Sequence, residues 1–435
     1  RKFWYIIHYL VRTIYMNVCV IGSGGREHSI CFKIKQSKKL NNLFCMPGNA
    51  GTSEICKNLN VDISNFNQIY SSIKKNSIDL AIIGPEIPLV NGIVDFLEKK
   101  KIKVFGPNKK AAQLEGSKIF MKNLCNKFNI PSAQHFSISS VEHAKTVLKK
   151  METPIVVKSD GLAAGKGVTI CNSKEAALID IISILNGKFT SSNQVVIEEF
   201  LEGEEASYFV LTDGRNFKQI GTAQDHKRIG ENDTGLNTGG MGAYSPSLLI
   251  NKNVEKKIIE KIIIPTITGM EKIGCPYKGI LYAGLMINKG EPKLIEYNIR
   301  FGDPECQVLM MRMEDDFLEL IESTINNKLD NHDINWSQHP CITIVAASEG
   351  YPEKYENLQE IENLPNNFKD KNVQMFHAGT IKKNKKIFSN GGRVLNSTVI
   401  QPTIKLAQKK ALELLDDVNW KNKYYRRDIG WRAIK

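Results

Sequence analysis

The chain has 435 residues, more than one ordinary hydrophobic core holds, and this length predicts two to four domains. Its 59 basic and 46 acidic residues leave a net charge of +13, but no dense basic block with interleaved aromatic residues occurs. This pattern argues against nucleic acid as a partner, and we interpret much of the excess as compositional drift, with local clusters that serve phosphorylated ligands. Nine cysteines occur singly, without CxxC spacing, so neither a zinc site nor a disulfide framework is predicted, and a reducing cytoplasm is the expected location.

The first fifteen residues differ in composition from the rest of the chain. Residues 1–15 are apolar, aromatic and basic, and no acidic residue occurs before Glu27. The stretch is too short to span a bilayer, and Arg12 interrupts it. We interpret it as an appendage outside the fold; the alternatives are the remnant of a targeting leader or sequence upstream of a true start at Met16.

Four short apolar strands, each followed by a glycine-containing turn, are predicted in the N-terminal region. They cover Val18–Ile21, Leu43–Met46, Asp79–Ile83 and Lys103–Phe105. Strand, turn and helix recurring at this spacing predict a parallel sheet covered by helices. Ligands of such sheets bind at the carboxyl ends of the strands, where these turns lie.

The first of these turns, GSGG, leads into a helix that is predicted to begin near Arg26. It is not a dinucleotide fingerprint, because Glu27 occupies the position of the third glycine and the later acidic residue is missing. Backbone amides at a helix start, together with Arg26 and His28, suit a phosphate group. A plain tight turn is the alternative.

A second glycine-rich segment, KSDGLAAGKGV, follows the predicted strand 154–158. It is not a Walker motif, because Asp160 stands where the first glycine belongs and Gly167 replaces the metal-binding hydroxyl. Three glycines and two lysines between two strands indicate a flexible loop able to fold over a triphosphate.

Two further segments carry polar residues suited to ligands. The acidic stretch Glu198–Glu205 could bond an adenine amine and ribose hydroxyls, with a solvated acidic turn as the alternative. The segment Gln224–Arg228 contains a histidine beside an aspartate, usually a packed pair. The glycine loop Thr238–Tyr244 that follows favours ligand contact instead.

The segment Ile295–Glu305 is predicted to be a strand with one polar face. Alternation places Glu296, Asn298 and Arg300 on that face, and Ile295, Tyr297 and Ile299 on the other. Carboxylate and amide oxygens suit Mg²⁺ that is shared with substrate phosphates, and arginine binds phosphate or carboxylate with two parallel hydrogen bonds. The alternative is an edge strand with a solvated polar face.

The C-terminal region, from about Asn335, is predicted to be a small α+β unit. Its strands cover Cys341–Ala346, Met375–Thr380 and Gly392–Val399, and a helix covers Ile404–Asp416. The segment GGRV at 391–394 is interpreted as a hairpin turn, with substrate contact as the alternative.

Nine motifs occur in an order that resembles one known family. They are GSGGREH, PGNAGT, GPE, LEGSK, KSDGLAAGKGV, DHKR, TGGMGAYSP, RFGDPE and DIGWRA. Together with the Glu296-x-Asn298-x-Arg300 strand, they resemble the ATP-grasp fold and, within it, the phosphoribosylamine–glycine ligases. The resemblance runs from Met16 to the C-terminus.

The resemblance implies a multidomain α/β and α+β protein. After residues 1–15, it implies an N-terminal open parallel sheet with helices on both faces (16–118), a central ATP-grasp domain (119–334) with a mobile lid at about 131–194, and a small C-terminal α+β domain (335–435). It implies a monomeric cytoplasmic enzyme of purine synthesis without nucleic-acid or membrane partners. ATP, glycine and 5-phosphoribosylamine would give 5′-phosphoribosylglycinamide, ADP and phosphate through a glycyl phosphate.

The same resemblance implies roles for individual residues. The implied metal ligands, for Mg²⁺ or Mn²⁺, are Glu296 and Asn298, and the implied catalytic residues are Arg300, Asp303 and Asp225. The implied ATP contacts are Lys118, Lys158, Gly161, Gly165, Lys166, Gly167, Glu198, Glu199, Phe200, Leu201 and Glu205. The implied substrate contacts are Gly24, Gly25, Arg26, Glu27, His28, Asn49, Pro85, Glu86, Gly239, Gly240 and Met241.

Two other classes of protein remain as alternatives. Another ATP-grasp carboxylate–amine ligase, such as a biotin-carboxylase-like enzyme, would share the nucleotide site but should lack the DHKR and TGGMGAYSP pair. A non-catalytic nucleotide-binding protein should have lost the metal strand, whereas Glu296, Asn298 and Arg300 are all present.

Overall fold

The structure, a computed structural model, describes residues 15–163, 167–189, 194–365 and 368–434. The predicted ATP contacts Gly165 and Lys166 lie outside these residues, as does the N-terminal appendage apart from Tyr15. Across the described ranges, no helix is both long and apolar enough to cross a membrane.

The N-terminal region is a five-stranded parallel sheet in the order β3-β2-β1-β4-β5. The predicted strands are confirmed. The elements are β1 (Met16–Gly22), α1 (Gly25–Ile34), β2 (Leu40–Pro47), α2 (Thr52–Ile55), β3 (Lys57–Asn58), α3 (Phe66–Lys75), β4 (Leu80–Ile83), α4 (Glu86–Asn91), α5 (Ile93–Lys99) and β5 (Lys103–Phe105).

Strand β1 is apolar throughout because both of its faces are covered. Cys19 and Ile21 pack in one hydrophobic cluster with helices α3 to α5, whereas Val18 and Val20 pack in a second cluster with α1. A parallel strand that is buried on both faces consists of consecutive apolar residues, and β1 has this pattern.

A second, four-stranded antiparallel sheet has the order β6-β9-β7-β8 and its own hydrophobic cluster beneath two helices. It includes most of the segment predicted to be the lid. The elements are α6 (Gln113–Gly116), α7 (Lys118–Phe128), β6 (His135–Ile138), α8 (Val141–Lys150), β7 (Ile155–Ser159), β8 (Val168–Cys171), α9 (Lys174–Leu185) and β9 (Val195–Glu199).

The rest of the chain forms a large antiparallel sheet, a hairpin, a small three-stranded sheet and helices. The strands are β10 (Glu204–Thr212), β11 (Phe217–Asp225), β12 (Arg228–Gly230), β13 (Thr234–Asn237), β14 (Gly242–Ser245), β15 (Gly279–Asn288), β16 (Glu291–Asn298), β17 (Cys341–Ser348), β18 (Glu360–Ile361), β19 (Val373–His377), β20 (Thr380–Lys383), β21 (Lys386–Ser389), β22 (Arg393–Ile400) and β23 (Lys423–Tyr424). The α-helices are α10 (Lys252–Ile258), α11 (Ile264–Lys272), α12 (Glu305–Arg312), α13 (Phe317–Ile325) and α14 (Ile404–Asp417).

The large sheet joins the central and C-terminal regions. Its order is β16-β15-β10-β11-β14-β17-β22-β19, and β23 pairs with β17. The short strand β14 pairs with β11 on one side and with β17 on the other. The predicted C-terminal strands and helix are therefore present, but they extend the central sheet; the boundary at residue 335 remains a prediction.

Two predicted strands have the wrong extent. The segment Ile295–Glu305 is not one strand, because β16 ends at Asn298 and Glu305 begins α12. The segment Met375–Thr380 is also divided, since β19 ends at His377 and β20 begins at Thr380 in a different sheet.

Candidate active site

Glu296 and Asn298 lie at the carboxyl end of β16, just after a β-bulge. Glu296 pairs with Gly284 of β15, whereas Leu294 pairs with Leu285, so Ile295 is an extra residue in the ladder. A bulge changes the side of the sheet to which the following side chains point. Consequently Leu294 and Tyr297, three residues apart, pack in the same hydrophobic cluster, and Glu296 points away from it.

The side of β15 that Glu296 faces contains a small cleft. Gly284 lines this cleft together with Asp225, Lys227 and Glu205. The Lys227 ammonium lies 2.6 Å from Glu205 Oε2, and the charge of Glu205 raises the pKa of Lys227. The charge of Glu296 also raises the pKa of Lys227, so Glu296 lies near the cleft that Asp225 and Glu205 line.

Arg300 is not on the face of β16, which corrects the prediction from alternation. Beyond the strand end its guanidinium lies between two carboxylates: Nε donates to Glu86 Oε2 at 3.1 Å and Nη2 to Glu115 Oε1 at 2.9 Å. Nη1 donates to the carbonyl of Phe301 at 3.2 Å. These contacts use three of its five N–H groups.

The two carboxylates that hold Arg300 differ in their pKa. Burial raises the pKa of Glu86, but the charges of Arg300 and Arg26 outweigh it and bring the pKa down to about 2. For Glu115, burial prevails over the attraction of Arg300, and the pKa rises to about 7. Glu86 begins α4 directly after Pro85, at the carboxyl end of β4, as the position of the GPE motif predicted.

Two buried lysines, one of them the predicted ATP contact Lys158, share one carboxylate. Lys158 Nζ lies 2.9 Å from Glu198 Oε2, and Lys122 Nζ lies 3.2 Å from Glu198 Oε1. All three side chains are almost completely buried. Burial lowers the pKa of Lys122, while the charge of Glu198 raises it. Glu198 thus serves as the counterion of the lysines, which leaves this small cluster with a net positive charge.

The start of the glycine-rich loop is bonded to the beginning of α7. Asp160 Oδ1 accepts from Ser117 Oγ and from the N–H of Ile119, both at 3.1 Å, and Lys118 Nζ donates to the carbonyl of Gly161 at 2.9 Å. Burial lowers the pKa of Lys118, and the charge of Glu296 acts in the opposite direction. The start of the glycine-rich loop, Lys118 and Glu296 of β16 are therefore close together.

The two ends of the glycine-rich loop are bonded to each other: the carbonyl of Gly167 accepts the N–H of Ser159 at 2.8 Å. This bond closes the base of the glycine-rich loop between β7 and β8.

The predicted adenine and ribose contacts follow the end of β9. Glu199 Oε1 accepts the backbone N–H of Gln134 at 3.0 Å and lies 3.3 Å from Lys293 Nζ. Phe200 is 40% exposed and Leu201 is partly buried, so both leave apolar surface available to a base. Glu205, at the start of β10, holds Lys227 as described above.

The first glycine turn of the N-terminal sheet reaches the loop that follows the metal strand. Glu27 Oε2 accepts the N–H of Gly24, and Glu27 Oε1 lies 2.6 Å from Arg26 Nε. The backbone N–H of Arg26 donates to Asp303 Oδ2 at 3.3 Å, and its guanidinium donates to the carbonyl of Phe301 at 3.1 Å. Arg26 and Glu27 are buried, so their charged groups mainly hold the first glycine turn against the loop after β16.

The second glycine turn is bonded to the C-terminal region. Asn49 Nδ2 donates to the carbonyls of Ser23 at 2.9 Å and His377 at 2.8 Å. The backbone N–H of His377 donates to His28 Nδ1, which makes that ring nitrogen an acceptor. Burial, followed by the nearby charge of His377, lowers the pKa of His28, so its ring is neutral.

Gly25 is required by close packing between regions. A Cβ atom on it would lie 2.5 Å from Gln307 Nε2 and 2.6 Å from Asn396 Nδ2. A side chain here would displace these two amide groups, which donate to Asp303 Oδ1 and to the carbonyl of Phe376.

The TGGMG loop meets the loop after the metal strand through Arg393. Arg393 Nη1 donates to the carbonyls of Gly239, at 2.7 Å, and of Asp303, and its Nη2 lies 3.8 Å from Asp303 Oδ2. The GGRV segment is not the hairpin turn that we predicted, because β21 and β22 lie in different sheets and Arg393 already begins β22. Its arginine lies at the site instead. Met241, a predicted substrate contact, is fully buried in the C-terminal hydrophobic cluster, so its side chain does not face the cleft.

Asp225 ends β11 directly beneath Gly240. A Cβ atom on Gly240, whose φ is +118°, would lie 2.6 Å from both Asp225 Oδ1 and Pro304 Cδ. Asp225 Oδ1 is buried and has no hydrogen-bond partner among the described residues. Burial and the nearby Glu305 carboxylate raise the pKa of Asp225 well above its usual value. Asp225 thus has an oxygen free for a ligand.

Sequence reasoning missed several residues of this site. Glu115 and Glu305 lie within the motifs LEGSK and RFGDPE, so their place in these motifs indicated that they belong to the site. Lys122 stands four residues after Lys118, on the same face of α7, but nothing in its neighbours in sequence predicts its contact with Glu198.

Three family models match the chain. They describe the N domain (residues 16–115), the ATP-grasp (A) domain (residues 116–306) and the C domain (residues 341–432) of phosphoribosylglycinamide synthetase. The chain belongs to the phosphoribosylglycinamide synthetase family. The resemblance found from the sequence motifs is confirmed, and so is the predicted fold class.

Members of the phosphoribosylglycinamide synthetase family match nearly the whole chain. A phosphoribosylamine–glycine ligase from Brucella melitensis is 45% identical over 421 residues, which cover 97% of this chain and 99% of that protein. One from Agrobacterium fabrum is 46% identical, covering 96% and 99%.

Solved structures agree with this assignment. The crystal structure of phosphoribosylamine–glycine ligase from Thermotoga maritima has a TM-score of 0.83 at 34% identity, covering 95% of this chain and 100% of that one. A biotin carboxylase from Campylobacter jejuni has a TM-score of 0.75 at 16% identity, covering 96% and 94%, which shows a shared fold alone.

The donor atoms at the end of β16 fit a divalent metal that is shared with a nucleotide. Within the described ranges, no group of three or more His, Cys, Asp or Glu side chains is placed to hold a metal by itself. Mg²⁺ needs no such group, because it retains waters and binds through one or two protein oxygens together with phosphates. One carboxylate, Glu296, and one amide oxygen, Asn298, meet that requirement.

Proposed function

We propose that this chain ligates glycine to 5-phosphoribosylamine at the expense of ATP, giving 5′-phosphoribosylglycinamide, ADP and phosphate. The observation that supports it best is the contact of Arg26 with Asp303. This contact brings the glycine turns of the N-terminal sheet, suited to a sugar phosphate, against the loop that follows the metal strand. A phosphorylated amine and a nucleotide can therefore meet at one junction.

In the proposed reaction, a carboxylate oxygen of glycine attacks the γ-phosphate of ATP, ADP leaves, and the amine of phosphoribosylamine then displaces phosphate from the glycyl phosphate. Such chemistry depends mainly on alignment and charge stabilisation. Lys118 and Lys158 would supply positive charge to the phosphates. Mg²⁺ or Mn²⁺ on Glu296 and Asn298 would neutralise further phosphate charge.

Other residues would recognise the ligands. The loop from Asp160 to Gly167 would cover ATP and exclude water, and the Glu198–Glu205 segment would line the base and ribose pocket. We propose the two remaining N–H groups of Arg300 for a glycine or acyl-phosphate oxygen, and the free oxygen of Asp225 for orienting the substrate. The first glycine turn and Asn49 would hold the ribosylamine phosphate. We also propose that the chain acts as a monomer in the cytoplasm and has neither nucleic acid nor a membrane as a partner.

The test is release of phosphate by the purified chain with ATP, glycine and freshly prepared phosphoribosylamine, with the product identified by mass. We expect release that requires all three substrates and is not supported by alanine. Phosphate release that requires bicarbonate instead of glycine would favour a biotin-carboxylase-like activity and overturn the proposal. Nucleotide binding without any turnover would favour the non-catalytic alternative.

A further inference from the structure

Residues 115–119, here called the junction segment, connect the end of α6 to the start of α7 and contact two parts of the site. Ser117, Lys118 and Ile119 hold the start of the glycine-rich loop, as described above. Glu115 points the other way, to the end of β16. The segment is thus a direct connection between the loop over the nucleotide and the metal-bearing strand.

Glu115 uses its two carboxylate oxygens separately. Oε2 accepts the backbone N–H of Ile299 at 2.8 Å, and Oε1 accepts from Arg300 Nη2 at 2.9 Å. Its side chain is only 11% exposed, so water competes little for these bonds. Hydrogen bonds to a carboxylate in such surroundings are stronger than those between neutral groups.

The two hydrogen bonds of Glu115 hold the backbone just beyond the last residue that is paired in the sheet. The ladder between β15 and β16 ends with the pair Tyr282–Asn298, and Ile299 is the next residue. Its N–H is bonded by the carboxylate of Glu115 in place of a neighbouring strand. The backbone on the carboxyl side of Asn298 is therefore fixed by Glu115, and the backbone direction sets where the Asn298 side chain points.

We propose that Glu115 is a positioning residue that fixes the metal-bearing end of β16 and couples it to the glycine-rich loop. It acts through the backbone of Ile299 and the guanidinium of Arg300, without touching a substrate. The inference rests on the proposed function only in assigning Glu296 and Asn298 to a metal.

Glu115→Gln tests this inference, because glutamine keeps the size of the side chain but replaces one acceptor oxygen by a donor. Glu86→Gln is the matched control: it removes the other carboxylate from Arg300 and leaves the bond to Ile299 intact. The measurement is the affinity for Mn²⁺ in the presence of saturating ADP, followed by electron paramagnetic resonance of free Mn²⁺ at pH 8. We expect Glu115→Gln to weaken Mn²⁺ binding by about tenfold or more, as losses of residues that orient metal ligands do, and Glu86→Gln to change it less than about twofold.

A second pair of measurements separates positioning from general support of the fold. In the ligase assay, Glu115→Gln should lower kcat and raise the Mg²⁺ requirement, while the melting temperature and the affinity for metal-free ADP stay close to wild type. The inference would be overturned if Glu115→Gln left the Mn²⁺ affinity unchanged, or if Glu115→Gln and Glu86→Gln weakened Mn²⁺ binding equally.

If Glu115→Gln does not fold, Glu115→Asp is measured in the same way, because it keeps the charge but shortens the reach by one methylene. Failure of both variants to fold would also overturn the inference, since Glu115 would then determine the fold instead of the site geometry. Mn²⁺ binding needs neither glycine nor phosphoribosylamine. A wild-type chain that binds Mn²⁺ and ADP but makes no product would therefore contradict the proposed function and leave this test intact.

Discussion

The backbone N–H of Arg26 donates to the Asp303 carboxylate, although the two residues are 277 positions apart in the chain. This bond joins the first turn of the N-terminal sheet to the loop after β16. Burial raises the pKa of Asp303, but the charges of Arg393 and Arg26 prevail and keep it below its ordinary value. Asp303 is therefore ionised at neutral pH and is contacted by both the N-terminal and the C-terminal regions.

Glu296→Gln should remove the negative charge of the metal site while preserving the size of the side chain. We expect kcat to fall by about two orders of magnitude or more, the size expected for loss of a strong electrostatic contribution. The control is Glu291→Gln on the same strand, whose exposed side chain pairs with Lys257 and Lys261. Activity of Glu296→Gln close to wild type at saturating Mg²⁺ would contradict the metal assignment.

Gly240→Ala should impair catalysis, because a Cβ atom there would collide with the Asp225 carboxylate and with Pro304. Gly187→Ala is the matched control, since Gly187 also has a positive φ but no atom of the described residues lies within 4 Å of its Cβ position. Both variants should lose about 1 kcal/mol or more of stability because a side chain disfavours a positive φ, and Gly240→Ala should lose more through the collision. Only Gly240→Ala should reduce kcat, by about tenfold or more for a displaced reacting group. Equal kcat values would show that the TGGMG loop does not contribute to the reaction.

Glu198→Gln should leave the ammonium groups of Lys122 and Lys158 buried without a counterion. We expect the free energy of unfolding, measured with urea, to fall by about 3 kcal/mol, as for removal of one partner of a buried ion pair. The neighbouring change Glu199→Gln removes a half-exposed pair with Lys293 and should cost less than about 1 kcal/mol. Adding Lys122→Met to Glu198→Gln should restore part of the loss; strict additivity of the two changes would refute the coupling.

The buried ring of His377 should make the protein sensitive to acid. Burial lowers its pKa to about 4, below the ordinary value of 6.5. Because the folded state binds the proton less well than the unfolded state, this contribution to stability is complete above pH 6.5 and is lost as the pH falls toward 4. One such group contributes a slope of about 1.4 kcal/mol per pH unit.

His377→Gln should therefore make the dependence of the unfolding free energy on pH shallower between pH 6.5 and 4. His143→Gln, at an exposed position on α8, serves as the control. If the His377→Gln curve runs parallel to that of the wild type, the ring is not neutral in the folded state.

The sequence by itself determined the arrangement of elements in the N-terminal sheet and the family. Runs such as Val18–Ile21 are apolar because both faces of β1 are covered, and that pattern is local. The glycine turns and the motif order are equally local, because a turn that needs a special backbone conformation restricts the residue at that position.

Tertiary structure alone decided how the charged side chains pair and where they point. Alternation placed Arg300 beside Asn298, but the ladder ends at Asn298, and Arg300 turns to Glu86 and Glu115. The bulge at Ile295 determines which side Glu296 faces, and it exists only in the pairing of β16 with β15. The pairing of Glu198 with two lysines likewise depends on α7, β7 and β9 coming together. Charge alone does not specify a partner, because every lysine could pair with many carboxylates; burial and the register of neighbouring strands select which pairs form.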